Sequence, residues 1–248
     1  SPGLRLLLQC PARVLLASGL HPHDGRWGWA LLACALVPVL VNVWNFMDGI
    51  NGLASSQALL AALAIAWLVP ALALPALALA AACAAFLPFN FPHARIFLGD
   101  VGSGTLGYAL AALVAAAAPE LGLPRAALLL LPLSAFLVDA SLTLGWRILA
   151  GERWWQPHVS HVYQRWVRTG RSHAFVTGVY AMFSIGAVIL AAFLYQAAPW
   201  STGGGVALWF LVAITIWLGM RRRLVPRKVN PSSECTPDPK PTPRCPVS

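Results

Sequence analysis

The chain has 248 residues, of which 58% are hydrophobic and only 10% charged, and its formal net charge is +9. Soluble domains carry roughly 25% charged residues, so this composition and a mean hydropathy of +0.69 exclude an ordinary water-soluble globule and predict a chain whose solvent is lipid. The positive charge does not point to nucleic acid. The basic residues sit in a few loops and at the C-terminal end, with no soluble domain to carry a basic face, and no nucleic-acid partner is expected.

A bilayer core of about 30 Å takes roughly 20 apolar residues in a helix. Taken in chain order, such runs lie near 4–20, 27–46, 53–69, 71–91, 104–119, 126–146, 174–196 and 204–220. The expected fold is therefore all-α, a polytopic transmembrane helical bundle of about eight spans within a single domain over 1–224. Arg5, Gln9 and Arg13 interrupt the first run. The third and fourth are separated only by Val69-Pro70-Ala71 and could instead form one kinked or re-entrant unit. Between runs stand loop signals such as His21-Pro22-His23-Asp24-Gly25 and Pro119-Glu120-Leu121-Gly122. Past Leu224 the composition changes abruptly, and the Pro-rich stretch 225–248 is expected to be a disordered cytoplasmic tail. The five Cys show no metal or redox spacing.

Basic residues divide the loops into two sets. If the spans alternate, the chain start, 46–52, 92–103, 147–173 and the C-terminal tail share one side and hold nearly all of the Arg and Lys. The opposite loops hold Arg26 and Arg125. The positive-inside rule assigns the first set to the cytoplasm.

Three polar clusters fall on that same side. In NVWNFMDGINGLA (42–54), Asn42, Asn45 and Asp48 recur every third residue, so a helix end would present them along one side. A carboxylate at membrane depth is a functional candidate; the plainer reading is a helix terminus with capping side chains. In FNFPHARIFLGDVGSGTLG (89–107), a Gly-rich loop leading into a span could cradle phosphate oxygens on its backbone N–H groups. Asp100 within it is a hard oxygen donor suited to Mg²⁺, although a plain loop reads the same way. In the 147–173 loop, His158, His161 and Arg165 fit one helical face, as would an amphipathic interfacial helix carrying Trp154, Trp155, Tyr163 and Trp166. Asp139, inside the sixth run, faces either a catalytic cavity or a structural hydrogen-bond partner.

In order and spacing, NxxNFMDGINGLA, NFPxARIFLGDVGSGxLG, a mid-span Asp and HxSHxYQR resemble the polyprenyl-phosphate N-acetylhexosamine-1-phosphate transferases, glycosyltransferase family 4, from Ser1 to about Arg223. The resemblance implies attack of polyprenyl phosphate on the β-phosphate of a UDP-N-acetylhexosamine, with release of UMP, at the cytoplasmic face of a bacterial inner membrane. It implies Mg²⁺, with Mn²⁺ as a substitute ion, and Asp100 as the metal ligand. Asp48, Asp100, His158 and His161 would be the catalytic set. Asn42, Asn45, Asn51, Phe97 and Arg165 would bind substrate, Phe97 near the uracil and Arg165 on phosphate or sugar. Expected partners are the polyprenyl phosphate lipid, the UDP-sugar and membrane lipids, with homodimerisation left open. The expected product starts a cell-surface polysaccharide such as O-antigen; the muramyl-pentapeptide branch of the family, a non-catalytic truncated relative and a membrane transporter are the rivals.

Two departures stand out. Relatives carry DGIDGL where this chain has Asn51. Its opening SPGLRLLLQ resembles a stretch that in relatives follows an Asp-Asp motif on an earlier loop, so the expectation is a polypeptide that begins past that motif and lacks part of the active site.

Overall fold

A computed structural model describes residues 27–152 and 160–224, and all regular structure among them is helical. The expected first span, His158 and the tail 225–248 lie outside the described residues. The helices are α1 (Trp27–Met47), α2 (Leu53–Leu68), α3 (Ala73–Asn90), α4 (Gly99–Leu121), α5 (Ser134–Leu149), α6 (Val162–Arg168), α7 (His173–Tyr195) and α8 (Pro199–Leu224). Single 3₁₀ segments precede α3 (Pro70–Leu72) and α5 (Arg125–Leu130). The stretches Pro70–Asn90, Gly99–Leu121, His173–Tyr195 and Pro199–Leu224 are long and apolar enough to cross a membrane, and Leu31–Met47 and Leu53–Leu68 are shorter apolar helices. The chain is a multi-pass membrane protein built as a helical bundle. Helices are the form such a chain must take, because lipid offers backbone amides no partner outside the helix itself.

Two expectations about spans are refined. Residues 53–91 form two helices rather than one kinked unit: Val69 and Pro70 end α2, since proline supplies no amide and clashes with a continuing helix. Asn90 at the end of α3 contacts Gly52 and Ser55 at the start of α2, so the two run antiparallel. The expected 126–146 run is broken at Leu131-Pro132-Leu133, a turn between the 3₁₀ segment and α5. There the Ser134 hydroxyl donates to the Leu131 carbonyl at 2.6 Å and accepts from the Trp209 indole of α8 at 2.9 Å, so a neighbouring helix satisfies the break.

The bundle closes around Trp44, Met47, Leu53, Ile65, Leu110 and Phe136, all fully buried. Helices α1 and α4 make the tightest pair, and Gly107 is the reason. A Cβ there would meet the Leu40 carbonyl oxygen at 2.5 Å and the Val41 Cα at 2.7 Å, so only glycine lets the two backbones approach this closely. A buried hydrogen bond from Ser184 to Gln57, 2.5 Å long, ties α7 to α2 within the apolar interior. Helices α3 and α8 instead turn most of their apolar surface outward, where Leu74 is 83% and Leu208 is 61% exposed, as lipid-facing helices do.

This topology brings the C-termini of α1, α3, α5 and α8 and the N-termini of α2, α4 and α7 to one end of the bundle. Cross-links between the loops there fix the arrangement: Tyr163 reaches the Phe46 carbonyl, Asn45 reaches Asp100, and Asn51 reaches Pro92 and His173.

Candidate active site

The turn from α1 into α2 is the centre of that end. Met47 ends α1, Asp48 and Gly49 leave the helix, and Gly52 adopts φ +73°, a left-handed conformation that disfavours any side chain. A Cβ on Gly52 would also strike the Phe91 ring carbon at 2.8 Å, so this glycine both makes the turn and admits the loop beyond α3. The Trp44 indole donates to the Ala54 carbonyl at 3.2 Å and closes the turn from behind.

Asn90 organises the facing loop. Its side-chain oxygen accepts from the Gly52 amide at 2.8 Å and from the Ser55 hydroxyl at 3.4 Å, while its amide donates to the Ile96 carbonyl at 2.8 Å. One buried side chain thus holds DGINGLA against ARIFLGD. Asn51 adds a second tie, donating from its side chain to the Pro92 carbonyl at 3.0 Å and from its backbone towards His173 Nδ1 at 3.5 Å, while its carbonyl accepts from Thr177 at 2.8 Å.

The Gly-Asp-Val-Gly-Ser segment is not a free loop. It forms the first turn of α4, where the Ser103 hydroxyl donates back to the Gly99 carbonyl at 3.0 Å. Asp100 therefore sits in an N-terminal turn, the end of a helix that favours negative charge. The Asn45 amide bridges Asp100 Oδ1 and the Ser103 hydroxyl, each at 3.1 Å, and so locks the tip of α4 to the end of α1.

Asp48 lies in the same cluster. Its pKa is pushed up to about 7, first by burial and then by the negative charge of Asp100. Two carboxylates near enough to repel one another favour either a shared proton or a bound cation. Among the described residues there is no group of three or more His, Cys, Asp or Glu that could hold a metal ion. What Asp48 and Asp100 offer is a pair of hard oxygen donors, the kind that holds a divalent cation jointly with substrate phosphates and water.

The other candidate residues are distributed around this pair. The Asn42 amide donates to the Pro38 carbonyl of its own helix at 2.6 Å. Phe97 stands 72% exposed on the loop before α4. His161 and Arg165 belong to the α6 region, but not to one helical face. The helix begins only at Val162, with His161 as its extended N-cap. The cause is Asp139, whose carboxylate accepts the amides of Val162 at 3.0 Å and Tyr163 at 3.4 Å and so sets where α6 starts. His161 is consequently buried, with Nδ1 3.8 Å from Asp139 and its ring between those of Phe46 and Tyr163. Arg165 is half-buried and donates from Nε to the Ser160 carbonyl at 2.9 Å.

Asp139 also accepts from the Tyr180 hydroxyl at 2.8 Å, the Trp217 indole at 3.0 Å and the Thr143 hydroxyl at 3.2 Å. Of its two expected roles, the contacts fit the structural one: it joins α5, α6, α7 and α8. Through α6 it also supports the acidic cluster, because the Tyr163 hydroxyl donates to the Phe46 carbonyl at 2.9 Å, two residues before Asp48. Sequence reasoning did not single out Asn90, Ser103 or His173, and it placed Tyr163 only among the interfacial aromatics. Only Asn90 left a signal, as a lone amide between aromatic residues at the end of an apolar run.

Comparison with known proteins gives this geometry a context. Residues 4–118 match the model for "Glycosyl transferase family 4". A decaprenyl-phosphate N-acetylglucosaminephosphotransferase of Mycobacterium tuberculosis (strain CDC 1551 / Oshkosh) is 33% identical over 168 residues, covering 58% of this chain and 42% of the relative. A protein of the same description from Mycolicibacterium smegmatis is 32% identical over 172 residues, 58% of this chain and 41% of its own length. A phospho-N-acetylmuramoyl-pentapeptide-transferase of Moorella thermoacetica is 38% identical over 112 residues, 43% of this chain and 35% of the relative. The chain thus spans less than half the length of these curated relatives. The family match covers the α1–α2 turn and the tip of α4, the two segments that carry Asp48 and Asp100. By this match and these relatives, the chain is similar to glycosyl transferase family 4 over residues 4–118 and resembles its polyprenyl-phosphate hexosamine-1-phosphate transferases.

Proposed function

We propose that the protein transfers N-acetylhexosamine-1-phosphate from a UDP-sugar to polyprenyl phosphate at the cytoplasmic face of a bacterial inner membrane, as the first step of a cell-surface polysaccharide. The observation that carries this reading is the proximity of Asp48 to Asp100, whose carboxylate is tied to the end of α1 by Asn45, at the end of the bundle where the basic loops gather. In the reaction a phosphate oxygen of the carrier attacks the β-phosphorus of the UDP-sugar. The bond to the bridging oxygen breaks, and UMP leaves with that oxygen. Such transfer needs charge neutralisation and alignment more than covalent help from the protein.

The residues present fit Mg²⁺. Two oxygen donors in a surplus of negative charge suit an ion that takes one or two carboxylates and fills its shell with water and substrate phosphates. Asp100, assisted by Asp48, would hold it, and bound there it would neutralise charge developing on the diphosphate. Asn45 fixes the Asp100 carboxylate through its amide. Asn90 and Asn51 keep the two loops in register so that a donor meets a preformed turn. Phe97, exposed beside α4, offers a ring face for the uracil, and Arg165 and His158 supply cationic or hydrogen-bonding groups for phosphate or sugar.

The donor class is an N-acetylglucosamine-type sugar. Similarity to the decaprenyl-phosphate enzymes extends over 168 to 172 residues, against 112 to 132 for the muramyl-pentapeptide enzymes. The test supplies the full-length protein with undecaprenyl phosphate, Mg²⁺ and a panel of UDP-N-acetylhexosamines and UDP-muramyl-pentapeptide. UMP release is expected with the former and should fall by about a thousandfold in Asp100→Ala. UMP release from no donor, or undiminished activity in Asp100→Ala, removes the proposal; release from the muramyl substrate alone moves it to the other branch.

A further inference from the structure

Away from the acidic cluster, beyond α6, an open apolar cleft lies between α5, α7 and α8. Val138, Trp166, Phe183, Ile216, Trp217 and Met220 line it. Its rim opens outward, since Val179 is 37% and Ile216 is 46% exposed. These are membrane-embedded helices, so what enters from outside is an acyl chain rather than water.

The mouth of the cleft is cationic. Arg221 stands one helical turn beyond Trp217, with its guanidinium 5.3 Å from that indole and 3.9 Å from the ring of Trp146. Two indoles thereby hold one guanidinium in place above an apolar slot. Its charged neighbours are Arg165 and Glu152, and Glu152 is itself paired with Arg147 at 3.2 Å. Three arginines and one glutamate leave a local excess of positive charge beside the bilayer surface, and Arg222 and Arg223 follow directly. An arginine fork so held suits a phosphate.

We propose that this cleft is a binding site for an anionic phospholipid, with an acyl chain between α7 and α8 and the headgroup phosphate on Arg221. The occupant is a membrane phospholipid rather than the carrier substrate because Tyr163, Tyr180 and Asp139 form a hydrogen-bonded layer between the cleft and the Asp48–Asp100 pair. A phosphate at Arg221 is therefore walled off from those carboxylates. The site does not depend on the phosphotransferase reading.

The test titrates the full-length protein in detergent micelles with phosphatidylglycerol carrying dibrominated acyl chains, which quench indole emission on contact, and with phosphatidylcholine of the same chains. Saturable quenching is expected at about fivefold lower mole fraction for phosphatidylglycerol, the share of one interfacial arginine. Arg221→Gln should abolish the preference, and Arg222→Gln should retain it. Ile216→Trp, which fills the cleft from its rim, should remove saturable quenching by either lipid and guards against a misfolded Arg221 variant. Equal quenching by the two lipids, a preference that survives Arg221→Gln, or saturation that survives Ile216→Trp overturns the proposal. So does relief of quenching by undecaprenyl phosphate more effectively than by unbrominated phosphatidylglycerol, which would give the cleft to the carrier.

Discussion

Asp139 and the Asp48–Asp100 pair are carboxylates of one small bundle in opposite conditions. Asp139 is 1% exposed, and its two oxygens accept from two backbone amides, a tyrosine, a tryptophan and a threonine. Asp48 feels the negative charge of Asp100 instead, and among the described residues no hydrogen bond is made to Asp48. A carboxylate surrounded by donors has its charge compensated by the fold and contributes to stability. A pair that repel each other costs stability, and such groups persist where a ligand or cation uses them. Burial and the number of donors both separate Asp139 from the Asp48–Asp100 pair, since Asp48 is half-buried and Asp100 exposed.

The widest separation between the two regions is expected from charge removal. Asp100→Asn should lower the proposed phosphotransferase activity by about a thousandfold, yet its melting temperature in detergent should be unchanged or higher, because one of two repelling charges is gone. Added Mg²⁺ should raise the melting temperature of the parent protein and leave that of Asp100→Asn unmoved. If Asp100→Asn instead melts as early as a core variant, the contrast between the two regions fails.

Asp139→Ala should do the reverse. It leaves buried donors on Tyr180, Trp217 and the start of α6 without an acceptor, a cost of about 3 kcal/mol, read as a large drop in melting temperature. Activity should fall only as far as the folded fraction and the seating of α6 allow. A smaller loss is expected at the α1–α4 crossing, where Gly107→Val forces the backbones apart at about 2 kcal/mol; thermal unfolding measures it. The smallest effect sharpens the link between the regions. Tyr163→Phe removes one hydrogen bond to the Phe46 carbonyl, about 1 kcal/mol of stability, and should lower kcat more than it raises KM if α6 supports the geometry of Asp48. Equal, small changes in both would make that bond purely structural.

Much of the site is legible in residue type and position alone. Asn45, Asp48 and Asp100 stand out because charged and amide groups are rare in so apolar a chain, and each lies at an expected helix end. The partners of these groups are not legible in the same way. Asn45 and Asp100 are 55 residues apart, Asn51 and His173 are 122 apart, and Tyr163 and Phe46 are 117 apart. Periodicity also misleads at His161 and Arg165. Their spacing fits a helix, but the Asp139 carboxylate captures the first two amides of α6 and starts the helix one residue later.

Sequence alone determined the solvent and the secondary structure. Apolar runs of near-span length leave the backbone no hydrogen-bond partner but itself, so helices and a membrane follow from composition and length. Tertiary structure decided how each polar side chain is used. Asn42 is taken up by its own helix, Asn90 ties two loops, Asp139 is surrounded by donors, and Asp48 is left in the field of Asp100. That division depends on which distant donors the packing delivers to each oxygen, and residue type and spacing do not encode it.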